Sequence, residues 1–399
     1  MISLLLIPTV LLLAASFSPY FKQTDREKIQ LFFEIAGIGV KHNNEIQYPS
    51  YKATEDDDLS TTYIFRLPLG IPSKLLEKIG GVVGEGLNKP VLIKYENYEL
   101  RIRVFTHGLK DKVTWCRSMV REDSWEVPVG QMLEGMAYHD FDKIPHASVG
   151  GTTRYGKTVF LKNIVTNLIL ANPDNVRFYI FDLKGGLEFS RYKNLKQVMK
   201  VAENTVETFE VLEALLTEIR KKMEYMKHNY ITNIVESDEK ERVFILVDEA
   251  AELCPDKSMP KPKRDLLGAC QHMLSEIARL GGGLGYRLVF CTQYPTADTL
   301  PRQIKQNSDA KIGFRLATGV ASQVVIDEDG LEKLPSLLPG RAIYKTDCKH
   351  EMQVPYISDK HMWHVLKDWE VTKDEPKPVY EVPATEQARP SDTSFIEFK

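Results

Sequence analysis

Three features of the sequence predict an α/β fold built on a mostly parallel sheet around a P-loop. The first is the string Val149 to Asn163, VGGTTRYGKTVFLKN, in which residues 151–158 fit G-x-x-x-x-G-K-[ST]. The second is a wholly apolar run, Val243 to Val247, that ends in Asp248-Glu249. The third is an alternation of strand-like and helix-like patterns from about residue 144 onward, the mark of a parallel sheet with helices on both faces.

The spacing of the first feature has a chemical reason. Two glycines let the backbone curl so that successive N–H groups face a phosphate, and a lysine adds a point charge toward the β- and γ-phosphates. The residues that would cradle the triphosphate of ATP are Gly151, Thr152, Thr153, Arg154, Tyr155, Gly156, Lys157 and Thr158. The Thr158 hydroxyl can also ligate Mg²⁺, and the following helix presents its positive N-terminal end to the same phosphates. The neighbours supply the context the motif needs. Pro145 to Val149 reads as a short buried strand. Val159, Phe160, Ile164, Val165, Leu168 and Ile169 repeat at helical spacing until Asn172-Pro173. A Gly/Thr turn without ligand is the plain alternative.

Further on, Val176 to Asp182 reads as a strand, Val206 to Lys227 as a long helix, residues 264–280 as a helix, and 287–291 and 311–316 as strands. Pro255 to Arg264 reads as a mobile basic loop. After Asp347 the pattern thins into a C-terminal extension, and residues from about 371 to 399, rich in Pro, Glu, Thr and Ser, read as disordered.

Upstream, residues 61–143 read as a small α+β domain. Thr62 to Leu67 and Glu99 to Phe105 alternate as strands do, and Ser73 to Val83 is a helix closed by Gly80-Gly81. Trp125 to Asp142 is a meandering lead-in. Residues 22–60 read as a linker with one helix, Lys28 to Ile38, and a solvated acidic run, Glu55 to Asp58. Met1 to Phe21 is uncharged and apolar and is followed by Lys22, Arg26 and Lys28. About 20 apolar residues cross a bilayer. The charge order therefore favours a single anchor at the cell membrane with a cytoplasmic remainder over a cleaved signal. A buried apolar N-terminus is the alternative, with a cytoplasmic protein as its consequence.

With 399 residues and 43% hydrophobic composition, the chain can bury a real core in two or three domains. A formal charge of −3 advertises no polyanion partner, although a local ring of basic side chains would not show in that total. The five cysteines form no C-x-x-C pair, which suits a reducing compartment. Cys254, Cys270 and His272 match no standard zinc spacing.

The second feature is a Walker B arrangement. Asp248, at the end of an apolar strand beside the P-loop, would hold Mg²⁺, and Glu249 would polarise the attacking water. A helix N-cap is the bland reading of both carboxylates. The next strand ends in Thr292-Gln293, where the Gln293 amide can hydrogen-bond both water and γ-phosphate as a sensor.

Several segments together resemble the FtsK/SpoIIIE-type DNA translocases. Phe181 to Tyr192 (FDLKGGLEFSRY) is similar to their D-x-K-x-x-E-x-x-x-Y segment. Asp248 to Leu253, Thr292 to Thr296 and Leu300 to Asn307 resemble their later motifs. The resemblance spans roughly residues 140–346, and residues 147–162 and 291–307 are most similar to the coupling ATPases of conjugative elements in Gram-positive bacteria. It implies a RecA-like motor, a ring and usually a hexamer, that moves DNA through a central pore on ATP and Mg²⁺. A relaxase and membrane channel components would be its partners. Replication or segregation without a channel is one alternative, and a nucleotide-gated adaptor with little turnover is another.

The resemblance also implies an arginine from a neighbouring subunit at the nucleotide. Gly282 stands at the aligned position, so Arg279, Arg287 and Arg302 are the substitutes, with Arg279 preferred because a helix end can point across an interface. Lys184, Arg191, Arg302 and Lys305 lie in loops that resemble the family's pore loops and would contact DNA phosphates. Each is equally readable as a solvated charge.

Overall fold

The computed structural model of the chain describes residues 23–42, 45–71 and 73–371. The expected anchor at 1–21 and the disordered tail lie outside them, apart from residue 371. Among the described residues no helix is long and apolar enough to cross a membrane. One compact unit ends at Leu109 and a second begins at Lys110.

The first unit opens with α1 (Asp25–Ile35). Thr24 caps it, accepting from Glu27 N while the Glu27 carboxylate accepts from Thr24 N, and Ile29 and Phe33 bury one face. A hairpin, β1 (Val40–His42) and β2 (Glu45–Gln47), precedes an antiparallel sheet of β3 (Ser50–Asp56), β4 (Ser60–Arg66), β5 (Val91–Glu96) and β6 (Glu99–Phe105) in the order β3-β4-β6-β5. Residues 22–60 are therefore not a linker, since β3 pairs along its length with β4. Its side chains are mostly exposed, which hides the strand from any apolar pattern. Helix α2 (Ser73–Leu87) does not stop at Gly80-Gly81. Ile79, Val83 and Leu87, at four-residue spacing, bury one face into the core with Phe33, Phe65 and Leu100, and this packing outweighs the helix penalty of about 1 kcal/mol per glycine.

The second unit is organised by a ten-stranded sheet. Its strands are β8 (Glu126–Met132), β9 (Gly135–Asp140), β10 (Ala147–Gly150), β11 (Val176–Phe181), β12 (Val198–Ala202), β13 (Arg242–Val247), β14 (Tyr286–Thr292), β15 (Ala310–Phe314), β16 (Arg341–Lys345) and β17 (Lys349–Gln353). They follow the order β12-β11-β13-β14-β10-β15-β16-β17-β8-β9. Pairings from β12 to β15 are parallel, and those from β15 to β9 are antiparallel. The parallel part is the expected one. The antiparallel part is built from the supposed lead-in at 125–142 and from residues 341–353, joined at Gln353↔Gln131. The boundaries at 143 and 347 thus cut through one sheet. Pro128 and a bulge between Pro128 and Gly130 break the alternation of β8, and Gly130 is small because a Cβ there would meet Met352 Sδ at 2.6 Å.

Helices cover both faces of the parallel strands. In β13 Phe244 and Leu246 join the core formed with α3 (Lys157–Ala171), while Val243, Ile245 and Val247 join the core formed with α4 (Thr205–His228) and α5 (Lys261–Leu280). The basic stretch Lys261–Arg264 is the first turn of α5, with Pro262 at a position whose N–H has no helical partner to lose, rather than a loop. Short helices α6 (Arg302–Asn307) and α7 (Gly319–Ile326) flank β15. At the end of the described chain a two-stranded pair, β7 (Val113–Thr114) with β18 (Pro355–Tyr356), is followed by α8 (Asp359–Leu366) against α3.

Candidate active site

Parallel register brings three strand ends together. Gly150 of β10 pairs with Thr292 of β14, and Val247 of β13 pairs with Phe290, so Gly151, Asp248 and Gln293 emerge at one edge of the sheet. There the loop 151–156 turns into α3. Gly156 caps that helix at φ 116° and packs so closely that a Cβ would lie 3.1 Å from Gly340 Cα. The loop is pinned by Gly151 N to Thr292 O (3.2 Å), by Thr152 N and Oγ1 to Arg315 O (3.2 and 3.1 Å) and by Gly340 N to Tyr155 O (2.9 Å). Thr153 and Arg154 are exposed on it, and Thr158 is half-buried in the first turn of α3.

Lys157 is buried, donates to Asp248 O and lies 3.1 Å from Asp248 Oδ1 and 3.9 Å from Glu249 Oε2. Asp248 Oδ1 is buried and accepts no hydrogen bond. Glu249, 1% exposed, accepts from Thr292 Oγ1 (3.2 Å) and from Gln293 N at both oxygens (3.1 and 3.2 Å), and pairs with Lys184 Nζ at 3.1 Å. The Gln293 side chain accepts from Thr153 Oγ1 at 2.9 Å, and its amide nitrogen makes no hydrogen bond to any described residue. Lys157, Thr158, Lys184, Asp248, Gln293 and Thr153 line a cleft of roughly 430 Å³. The donor set suits a divalent cation with phosphate: a hydroxyl on Thr158 and a buried carboxylate on Asp248 that is ion-paired with the Lys157 ammonium.

A profile of the FtsK/SpoIIIE family matches residues 117–328, more than half of the chain. The chain belongs to the FtsK/SpoIIIE family. It is 27% identical over 277 residues to the DNA translocase FtsK of Streptococcus pneumoniae, covering 63% of this chain and 34% of that protein. It is 28% identical over 269 residues to DNA translocase FtsK of Streptococcus agalactiae, covering 61% and 31%. The chain thus spans about a third of the length of the curated relatives it matches. Among solved structures it is similar to the pCW3 conjugation coupling protein TcpA in its monomer form with ATPγS, at TM-score 0.62 and 24% identity over 86% of this chain and 99% of that one. The cytoplasmic domain of the Thermomonospora curvata type VII secretion ATPase EccC gives TM-score 0.54 and 22% identity over 69% of this chain and 34% of that one. At these identities the two structures share its fold.

The FtsK/SpoIIIE domain brings Lys157, Thr158, Asp248 and Gln293 into one cleft, with Glu249 buried directly behind it on Gln293 N and Lys157, and the arginines and lysines expected elsewhere separate by environment. Arg287 is buried on Asp142 at 2.7 Å and cannot reach a neighbour. Gly282 lies in a tight turn where a Cβ would be 2.9 Å from Pro145 Cγ, so this position has no room for a side chain. Arg279 is exposed at the end of α5, paired among the described residues only with Glu276 on its own helix (2.7 Å), and at the opposite end of β14 from Gln293. Lys184 lines the same cleft. Arg191 pairs with Glu370 at 2.7 Å and stacks over Trp363. Lys305 pairs with Asp327 at 2.7 Å. Arg302, at the start of α6, is exposed and forms no ion pair among the described residues.

The sequence placed Asp182 in a family-like segment without a role, and it did not show Lys162, Gly340, Val354 or Tyr356 as contributors. Asp182, fully buried at the end of β11, accepts from Glu188 N and Phe189 N and so shapes the loop carrying Lys184 and Glu188. Its place at a strand end was the available signal. Lys162 bridges Glu188 (3.8 Å) and Asp359 (2.7 Å), and Gly340 and Val354, which flank β16 and β17, wall the cleft together with Tyr356 of β18. No group of potential metal-binding side chains occurs among the described residues at Cys254, Cys270 and His272, and all five cysteines are free.

Proposed function

We propose that this chain is an ATP-driven DNA translocase, a membrane-associated coupling protein for conjugative DNA transfer that works as a ring, with six subunits as the expected number. The observation that carries the reading is the convergence of Lys157, Asp248, Glu249 and Gln293 at one strand edge inside an FtsK/SpoIIIE domain. The names of relatives, DNA translocase FtsK and conjugation coupling protein TcpA, support the substrate and the pathway. A relaxase and membrane channel components are the proposed partners.

Phosphoryl transfer to water leaves little covalent work for the protein, so positioning and charge dominate. Loop N–H groups and Lys157 hold the β- and γ-phosphates. Thr158 and Asp248 would hold Mg²⁺, which when bound would neutralise phosphate charge. Glu249, fixed by Thr292 and the Gln293 N–H, orients a water and takes its proton. The Gln293 amide nitrogen donates to the γ-phosphate. Arg279 is too far along the sheet to serve its own subunit, so it is assigned to the neighbour's nucleotide. Of the four basic residues considered for DNA, Arg302 is retained as the phosphate contact, because Lys184, Arg191 and Lys305 already face carboxylates.

The test is ATP hydrolysis by the full chain with and without DNA, beside Lys157→Ala. DNA-stimulated turnover that disappears in the variant is expected. Turnover that survives Lys157→Ala, or that ignores DNA, would count against the motor. The crowded Gly282 position favours one second reading, a nucleotide-gated adaptor, which would bind ATP and hydrolyse it slowly whatever DNA is added.

A further inference from the structure

The lining of the cleft is of two kinds. Arg154, Lys157, Lys184, Glu188, Asp248 and Gln293 are charged or polar, whereas Val159, Pro339, Val354 and Tyr356 are apolar or aromatic. A triphosphate seated on Lys157 uses the charged groups, which leaves the apolar ones for its nucleoside. We propose that Tyr356 is the platform on which the base of that nucleotide stacks. This inference rests on the nucleotide-binding reading above and extends it to the part of the ligand that the P-loop does not touch.

The backbone of Tyr356 is held in place. Its strand β18 pairs in parallel with β7, Pro355 with Val113 and Tyr356 with Thr114. Trp115 N donates to Tyr356 O at 3.0 Å, and Asn163 Nδ2, from the helix that starts at the P-loop, donates to Pro355 O. The backbone is therefore fixed from both sides, while the residue remains 45% exposed. An aromatic residue serving only the core would be buried, as nearby Trp115 is at 1%. The Lys112 ammonium sits 5.1 Å from the centroid of the ring, so a cation covers one face and the other is left to offer. Val354, two residues earlier and on the same side of the extended chain, continues the apolar wall inward. An aromatic ring on a fixed backbone beside an aliphatic wall takes a heteroaromatic base, because every base has a π-face.

The experiment compares equilibrium binding of Mg²⁺-ATP and Mg²⁺-tripolyphosphate to the full chain, its Tyr356→Ala and Tyr356→Phe variants, and Lys157→Ala. Tyr356→Ala should weaken ATP about tenfold, the size of one base–aromatic stack, and leave tripolyphosphate within about twofold. Tyr356→Phe should match the wild type for both ligands. Unchanged ATP affinity in Tyr356→Ala, or an equal loss for ATP and tripolyphosphate, overturns the assignment while leaving the P-loop reading intact. Tripolyphosphate binding that is indifferent to Lys157→Ala would instead overturn the P-loop reading. A wild-type chain that bound neither ligand would remove both.

Discussion

Asp142 lies between β9 and β10, and its carboxylate accepts from Arg242 Nε (2.9 Å), Arg242 Nη2 (3.1 Å) and Arg287 Nη2 (2.7 Å). Those arginines open β13 and β14, and their side chains are only 4% and 1% exposed. Burial works against ionisation of Asp142, but the two guanidiniums more than offset it and hold its carboxyl below the usual range. No second carboxylate pairs with either arginine among the described residues. Replacing Asp142 by Asn keeps the shape and removes the charge, leaving two buried cations facing an amide. Breaking a buried pair costs about 3–5 kcal/mol, and Asp142, itself 19% exposed, places this case at about 3 kcal/mol. Urea unfolding followed by tryptophan fluorescence measures it, through a lower midpoint with an unchanged slope. Arg287→Met in the same background should cost less than it does alone, with a coupling of about 2 kcal/mol in the double-mutant cycle. A loss below about 1 kcal/mol in Asp142→Asn, or strict additivity in the cycle, would refute the argument that one carboxylate neutralises both strand starts.

Glu249→Gln should lower single-turnover hydrolysis by roughly 10²–10⁴-fold, the usual worth of a positioned base, while the chain retains bound ATP in a filter assay; a loss under threefold would move the base elsewhere. Burial pushes His139 down to about 4, and burial together with the charge of Arg287 pushes His146 down to about 3. Both therefore fold neutral, so their contribution is full above the unfolded value near 6.5 and is lost as pH falls toward those lower values, by about 2 kcal/mol each at about pH 5. Urea midpoints at the two pH values test this, and His146→Asn, whose oxygen can still accept from Leu288 N, should remove about half of the drop. Mixing inactive Arg279→Ala with inactive Lys157→Ala should restore part of the ATPase activity, because some interfaces then join an intact lysine to an intact arginine. No recovery in mixed assemblies would argue that Arg279 does not act across an interface.

What could be read in the sequence were the parts whose chemistry is local. The P-loop, the apolar β13 with its two acids, and Thr292-Gln293 each carry their signal within a few residues, and parallel register then brings them to one edge. The antiparallel strands carry no such signal. Pro128 and Gly130 interrupt β8, and Lys349-His350-Glu351 makes β17 look like a surface loop, so only the contact between residues 131 and 353 reveals one sheet. Charge was visible in Lys184, Arg191 and Lys305, but not the carboxylates that occupy them, because Glu249, Glu370 and Asp327 arrive from separate elements. Likewise the two glycines in α2 signal an end locally, and the buried face of that helix overrules them.

The pairing of Gln353 with Gln131 also sets an order of events on the ribosome. β8 and β9 are made early, yet the sheet edge they complete does not exist until β17 has emerged more than two hundred residues later. Until then the edges of β8 and β16 that the finished sheet pairs stay open, and the cleft lacks Val354 and Tyr356. A message truncated before Lys349 therefore yields a protein with every nucleotide motif intact, an unfinished binding site and edges prone to pair with other chains.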